Sequence, residues 1–64
     1  MITYAPFWKM MERKGISGYA LIKNYGLCKS EVSRLKKDHN FNIYFIDHLC
    51  NIFECEVEDI VKHI

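Results

Sequence analysis

The chain has little of what most small-protein chemistries require. Proline occurs once, at Pro6, tryptophan once and glycine three times in 64 residues. The three cysteines, Cys28, Cys50 and Cys55, are an odd number without disulfide-scaffold spacing, which suits a reducing compartment and excludes a cystine-held secreted fold. Neither CxxC nor HxxxH occurs. On a continuous helix Cys50 and Cys55 stand roughly 140° apart, so no zinc site is expected. His39, His48 and His63 are scattered, no glycine-rich phosphate loop is present, and no serine or cysteine has a nucleophile's setting. The expectation is a protein that is not an enzyme, with no cofactor, metal or small-molecule ligand. No apolar run is long enough to cross a bilayer, and the opening MITYAPFWKMMERK mixes charged and apolar residues unlike a secretory signal. A cytoplasmic location without membrane contact is the corresponding expectation.

What is present is apolar content and a divided charge. Hydrophobic residues make up 50% and aromatic residues 14%, enough to drive folding and to exclude a disordered chain. At this length residues 1–64 are expected to form one domain, near the lower limit for a core without disulfides or metal. The formal net charge is only +1, yet the two halves oppose each other. Lys9, Arg13, Lys14, Lys23, Lys29, Arg34, Lys36 and Lys37 outweigh Glu12 and Glu31 in residues 1–37. Lys62 alone stands against Asp38, Asp47, Glu54, Glu56, Glu58 and Asp59 in the remainder. Such a molecule presents its basic end to a polyanion while the acidic end faces away, although two solvated faces are the plainer reading of charge alone.

Punctuating residues cut the chain into short helices. Pro6 suits a first turn, and helix one runs through FWKMMERK to Gly15 with Phe7, Met10 and Met11 inward. Ser17 caps a second helix, GYALIKNY, ended by Gly26 and held by Leu21, Ile22 and Tyr25. A third begins near Cys28 and continues to about Asp38. Asn42 caps a fourth, IYFIDHLCNIFE, with Ile43, Ile46, Leu49, Cys50 and Phe53 as its apolar stripe. VEDIVKHI predicts a short fifth helix with Val57, Ile60, Val61 and Ile64 inward and Glu58 and Asp59 favouring its positive end. MITY is too short to assign, though Ile2, Thr3 and Tyr4 allow an extended segment. The fold class expected is all-α, a compact five-helix domain.

Helices two and three are separated by so few residues, Gly26 to Cys28, that the chain must turn sharply between them, the arrangement of a helix-turn-helix. Within helix three, Val32 and Leu35 lie one turn apart and point inward. Lys29, Ser30, Ser33, Arg34 and Lys37 then share the opposite side. That row of cations and small hydroxyls, without a large apolar residue, suits a helix laid in the major groove of DNA.

With these residues in place the sequence resembles the Cro/repressor-type (Xre-like) helix-turn-helix regulators of bacteria and phages. Counting from Gly18, the family's apolar fourth, glycine ninth and aliphatic tenth, fifteenth and eighteenth positions are Leu21, Gly26, Leu27, Val32 and Leu35. The tail IDHLCNIFECEVEDI resembles the family's fourth and fifth helices, so the likeness covers almost the whole chain. It implies a small transcriptional regulator, a repressor foremost, that binds specific double-stranded DNA as a homodimer. Lys29, Ser30, Ser33 and Arg34 match base-reading positions. Lys36, Lys37, Lys23 and Lys14 suit the sugar-phosphate backbone, together with Ser17 and Tyr19 at the start of helix two.

Two motif positions depart from the family. Ile22 stands where a small residue lets helices two and three approach, which predicts a wider crossing, and Gly18 stands where a polar side chain often reaches a phosphate. Glu31 is unusual in a helix facing phosphates; pairing with Arg34 is preferred over accepting from a cytosine amino group. Cys28 stands where the family has a small capping residue, with redox sensing as the minor reading. The competing function is a protein-interaction module on the same fold, which would leave Ile2, Tyr4, Phe7, Trp8 and Tyr44 exposed. For a homodimer the candidate surfaces are the N-terminal segment with Trp8 and the fifth helix with Ile64.

Overall fold

A computed structural model describes residues 1–64. Strand β1, Ile2–Thr3, leads into helices α1, Ala5–Lys14; α2, Gly18–Tyr25; α3, Lys29–Lys36; and α4, Ile43–Phe53. A 3₁₀ turn over Val57–Asp59 and strand β2, Lys62–His63, follow.

The helix ends lie where local chemistry puts them. Pro6 occupies the first turn of α1. The Ser17 hydroxyl accepts from the Ala20 N–H at 3.1 Å and the Asn42 carboxamide oxygen from the Phe45 N–H at 2.9 Å, each satisfying an orphan donor at a helix start. At four helix ends the chain reverses through a left-handed residue: Gly15 (φ 69°), Gly26 (φ 75°), Asp38 (φ 56°) and Glu54 (φ 51°). Three of the reversals are closed by a backbone bond from the next residue to the carbonyl five positions back, Ile16 to Met11, His39 to Arg34 and Cys55 to Cys50, at 2.9, 3.0 and 3.1 Å, and the one at Gly26 by Leu27 to Leu21 at 3.2 Å.

There are four α-helices, not five. VEDIVKHI forms one 3₁₀ turn and a strand because its end has a non-local partner. β2 pairs antiparallel with β1, placing Ile2 opposite His63 and Thr3 opposite Lys62, and the Ile64 N–H donates to the Met1 carbonyl at 2.9 Å. A continued helix would give up these bonds for one of about two turns, too short to persist by itself. Ile60 is buried as expected, whereas Val57 and Ile64 are exposed.

The core gathers Tyr4, Phe7, Met10 and Met11 from the N-terminal segment, Leu21, Leu27, Val32 and Leu35 from the helix pair, and Ile46, Leu49, Phe53 and Ile60 from the remainder. Phe53 meets Phe7 edge to face at 5.9 Å and Tyr25 at 5.1 Å. Trp8 is turned inward: its indole N–H donates to the Leu35 carbonyl at 3.3 Å. The Tyr4 hydroxyl is buried beside the Phe41 backbone without a well-formed hydrogen bond, and burial pushes its pKa up.

Asp38 ties the exit of α3 to the N-terminal segment. One carboxylate oxygen accepts from the Tyr4 N–H at 2.9 Å, and the Thr3 hydroxyl lies 3.4 Å from both. Asp38→Ala removes these acceptors and puts a less tolerant residue at positive φ, so a loss of about 1–3 kcal/mol is expected in urea unfolding. Asp38→Asn keeps an acceptor and a residue suited to that conformation, and its smaller loss distinguishes the tie from a general effect of substitution.

Candidate nucleic-acid interface

The helix pair is positioned from within. Leu21 of α2, Leu27 of the turn, and Val32 and Leu35 of α3 are buried. α2 and α3 approach at Gly18, where an added Cβ would meet Val32 Cγ1 at 3.4 Å and Lys36 Nζ at 3.6 Å. Ile22, the residue expected to widen the crossing, is 37% exposed and so lies partly clear of the core. The two departures thus complement each other: the larger side chain faces outward and the smaller one sits at the contact.

On α3, Lys29, Ser30, Arg34 and Lys37 are exposed and Ser33 is half-buried. The row is therefore present, with Lys29 and Ser30 at its open N-terminal end. Glu31 departs from expectation. Its carboxylate accepts from the Cys28 N–H at 2.8 Å and pairs neither with Arg34 nor outward. A glutamate at the third helical position satisfies the cap residue's donor and favours the positive helix end, so the acidic side chain is folded onto its own helix. Cys28 is the cap residue itself, extended at φ −80° and ψ 151°.

Arg34 also has partners that the sequence pattern did not reveal. Its guanidinium lies 4.4 Å from the Phe41 ring centroid and donates to the Asn40 carbonyl. It bridges the last turn of α3 to the loop that follows. Arg34→Ala is expected to lower stability by about 0.5–1 kcal/mol in thermal melts. Arg34→Lys should recover little, since a point charge neither stacks flat on the ring nor keeps a fixed donor fork.

The remaining cations have distinct settings. Lys36 lies 5.9 Å from the Trp8 ring centroid and close to Gly18. Lys23 lies 5.6 Å from the Tyr19 ring centroid and 3.5 Å from its hydroxyl, so the two side chains share one exposed patch of α2. Lys14 belongs to the last turn of α1. The Ser17 oxygen accepts the α2 cap bond, leaving its hydroxyl proton available to donate outward.

A surface depression of about 680 Å³ is lined by Pro6, Lys9, Glu12, Arg13 and Asp59, none of them in α2 or α3. No group of three or more His, Cys, Asp or Glu side chains is arranged to hold a metal ion, and no helix is long and apolar enough to cross a membrane. Of the residues that an interaction module would expose, Tyr4 and Phe7 are fully buried and Ile2 and Trp8 half-buried, leaving Tyr44, 82% exposed.

No curated protein matches the sequence significantly. Among solved structures, the crystal structure of the transcriptional regulator VanUg superposes with a TM-score of 0.86 at 22% identity, over 98% of this chain and 84% of that one. That likeness establishes the fold. The family model of the Cro/C1-type helix-turn-helix DNA-binding domain matches residues 7–64, which include both packed helices, the turn between them and the outward row of α3. By that match over nearly its whole length, the chain belongs to the Cro/C1-type helix-turn-helix DNA-binding family.

Proposed function

We propose that the protein binds specific double-stranded DNA with α3 in the major groove and acts as a homodimeric transcriptional repressor. The observation that carries this reading is the outward face of α3, where Lys29, Ser30 and Ser33 stand on a helix fixed by Val32 and Leu35 inside and by the Glu31 cap at its start. Lysine gives a cation for guanine O6 and N7, and serine hydroxyls donate or accept at either base. Arg34 holds the loop through Asn40 and Phe41, and being exposed it keeps further donors for a base or a phosphate. Ser17, Tyr19 and Lys23 at α2, with Lys36, Lys37 and Lys14, are assigned to phosphates. Residues 1–64 act as a single domain in this reading.

Dimerisation is assigned to an apolar groove of about 390 Å³ whose lining includes Ile2, Phe41, Ile43, Val57 and Val61. Ile43 is 76% exposed although it belongs to the apolar stripe of α4, and Val57 is 52% exposed. Of the surfaces considered from the sequence, Trp8 is turned inward, whereas Ile2 of the N-terminal segment and Val57 and Val61 of the expected fifth helix line this groove. The groove borders the loop that leaves α3, so a second copy there lies beside the DNA-reading helix and brings a second half-site within reach.

Selection of bound duplexes from a random pool, at two salt concentrations, tests both parts. The wild type should enrich an inverted repeat with half-site centres about one helical turn apart, and Ile43→Glu should retain the half-site but lose the repeat. Failure to enrich any sequence, with only weak and steeply salt-sensitive binding, would overturn the DNA reading and leave the groove to a protein partner.

A further inference from the structure

Cys50 and Cys55 are neighbours in space because α4 does not continue between them. Glu54 takes the left-handed conformation at φ 51°, and the Cys55 N–H donates to the Cys50 carbonyl at 3.1 Å. With one such bond joining them, standard bond lengths keep the two Cα atoms within roughly 7 Å, so the pair is not separated beyond the reach of a disulfide. This type of helix end commonly brings the two side chains it links into contact. Both thiols are half-buried, and each lies close enough to the other to perturb its titration. Neither belongs to α2 or α3.

From this geometry we infer that Cys50 and Cys55 form a dithiol that closes to an intrachain disulfide by exchange with a low-molecular-weight disulfide, stapling the end of α4 to the segment that leads into the 3₁₀ turn. One cysteine, as thiolate, attacks the small disulfide, bonds to one of its sulfurs and expels the other as a thiolate, which takes up a proton. The second cysteine then loses its proton and attacks the first, forming the intrachain S–S bond and releasing the second small thiol. Two protein thiols and one small disulfide thus become one protein disulfide and two small thiols. A 64-residue chain without other cross-links is the size of scaffold in which such a staple matters.

Burial raises both thiols, Cys55 to about 11, and the carboxylates Asp47, Glu56 and Asp59 add to this, opposed at Cys55 by Lys14. Closure is accordingly slow at neutral pH and accelerates as the solution is made alkaline. The assignment is independent of the DNA-binding reading.

The experiment incubates the full chain with oxidised glutathione, blocks remaining thiols with iodoacetamide, and maps them by mass spectrometry. The expected product carries a Cys50–Cys55 link that makes this pair two hydrogens lighter before blocking, leaves the exposed Cys28 alkylated or as a glutathione adduct, and melts on the order of 10 °C higher until dithiothreitol reverses it. In Cys55→Ser, Cys50 should stop at the glutathione adduct. Cys50 and Cys55 both remaining alkylated in the wild type, or a persistent glutathione adduct on either, would overturn the inference without bearing on DNA binding.

Discussion

Leu35→Ala is expected to remove a large share of the domain's stability at 25 °C. Leu35 is fully buried, and α3 inserts only one other residue, Val32, into the core. Removing three side-chain carbons there costs about 2–5 kcal/mol, counting the cavity left behind. A domain of this size without cross-links has a total stability of only roughly 3–5 kcal/mol, so a single cavity competes with the whole. An eight-residue helix has little stability of its own, and DNA affinity should fall together with helicity. Urea unfolding followed by far-ultraviolet circular dichroism measures the loss. Leu35→Met, which conserves volume, should cost less than about 1.5 kcal/mol. An alanine variant that unfolds at the wild-type urea concentration would show that α3 is not held by this core.

The second large effect concerns specificity without stability. Lys29→Ala combined with Ser30→Ala alters two exposed side chains with no assigned partner within the fold, so unfolding should move by less than about 0.5 kcal/mol. Each good base contact is worth about 1–3 kcal/mol of discrimination, so loss of two at a single half-site should lower the ratio of selected to scrambled affinity by about 30-fold or more. Lys36→Ala provides the contrast. A lost phosphate contact weakens both duplexes alike and lowers the log–log salt slope by about 0.9. Should the double variant keep its sequence preference, base reading would have to rest on Ser33 and Arg34.

How much of this was legible in the sequence depended on how local each cause is. Ser17 and Asn42 cap the helices they were expected to cap, Gly15 and Gly26 end theirs, and Phe7, Met10, Met11, Leu21, Val32 and Leu35 are buried as their spacing implied. The Glu31 cap escaped because Cys28 lacks the hydroxyl that marks the usual pattern, although the glutamate's position three residues on was a usable sign. Ile43 shares the helical period of Ile46 and Leu49 yet lies in the groove, since periodicity indicates a face and not what covers each turn of it. Arg34 looked free because its partners, Asn40 and Phe41, come from the loop beyond the helix. The separation assigned to Cys50 and Cys55 assumed a continuous helix, and the reversal at a non-glycine residue, Glu54, gave no signal.

The sequence by itself determined the four helices, the Ser17 and Asn42 caps, most of the core and the outward row on α3, because these follow from interactions between residues a few positions apart. Only the tertiary structure decided that the C-terminus becomes a strand against Ile2 and Thr3, that Asp38 fastens α3 to Tyr4, that Arg34 serves the loop and that two cysteines meet. Those outcomes require partners brought together by the chain's return, and a residue's preference for its neighbours carries no information about which distant backbone or ring arrives beside it.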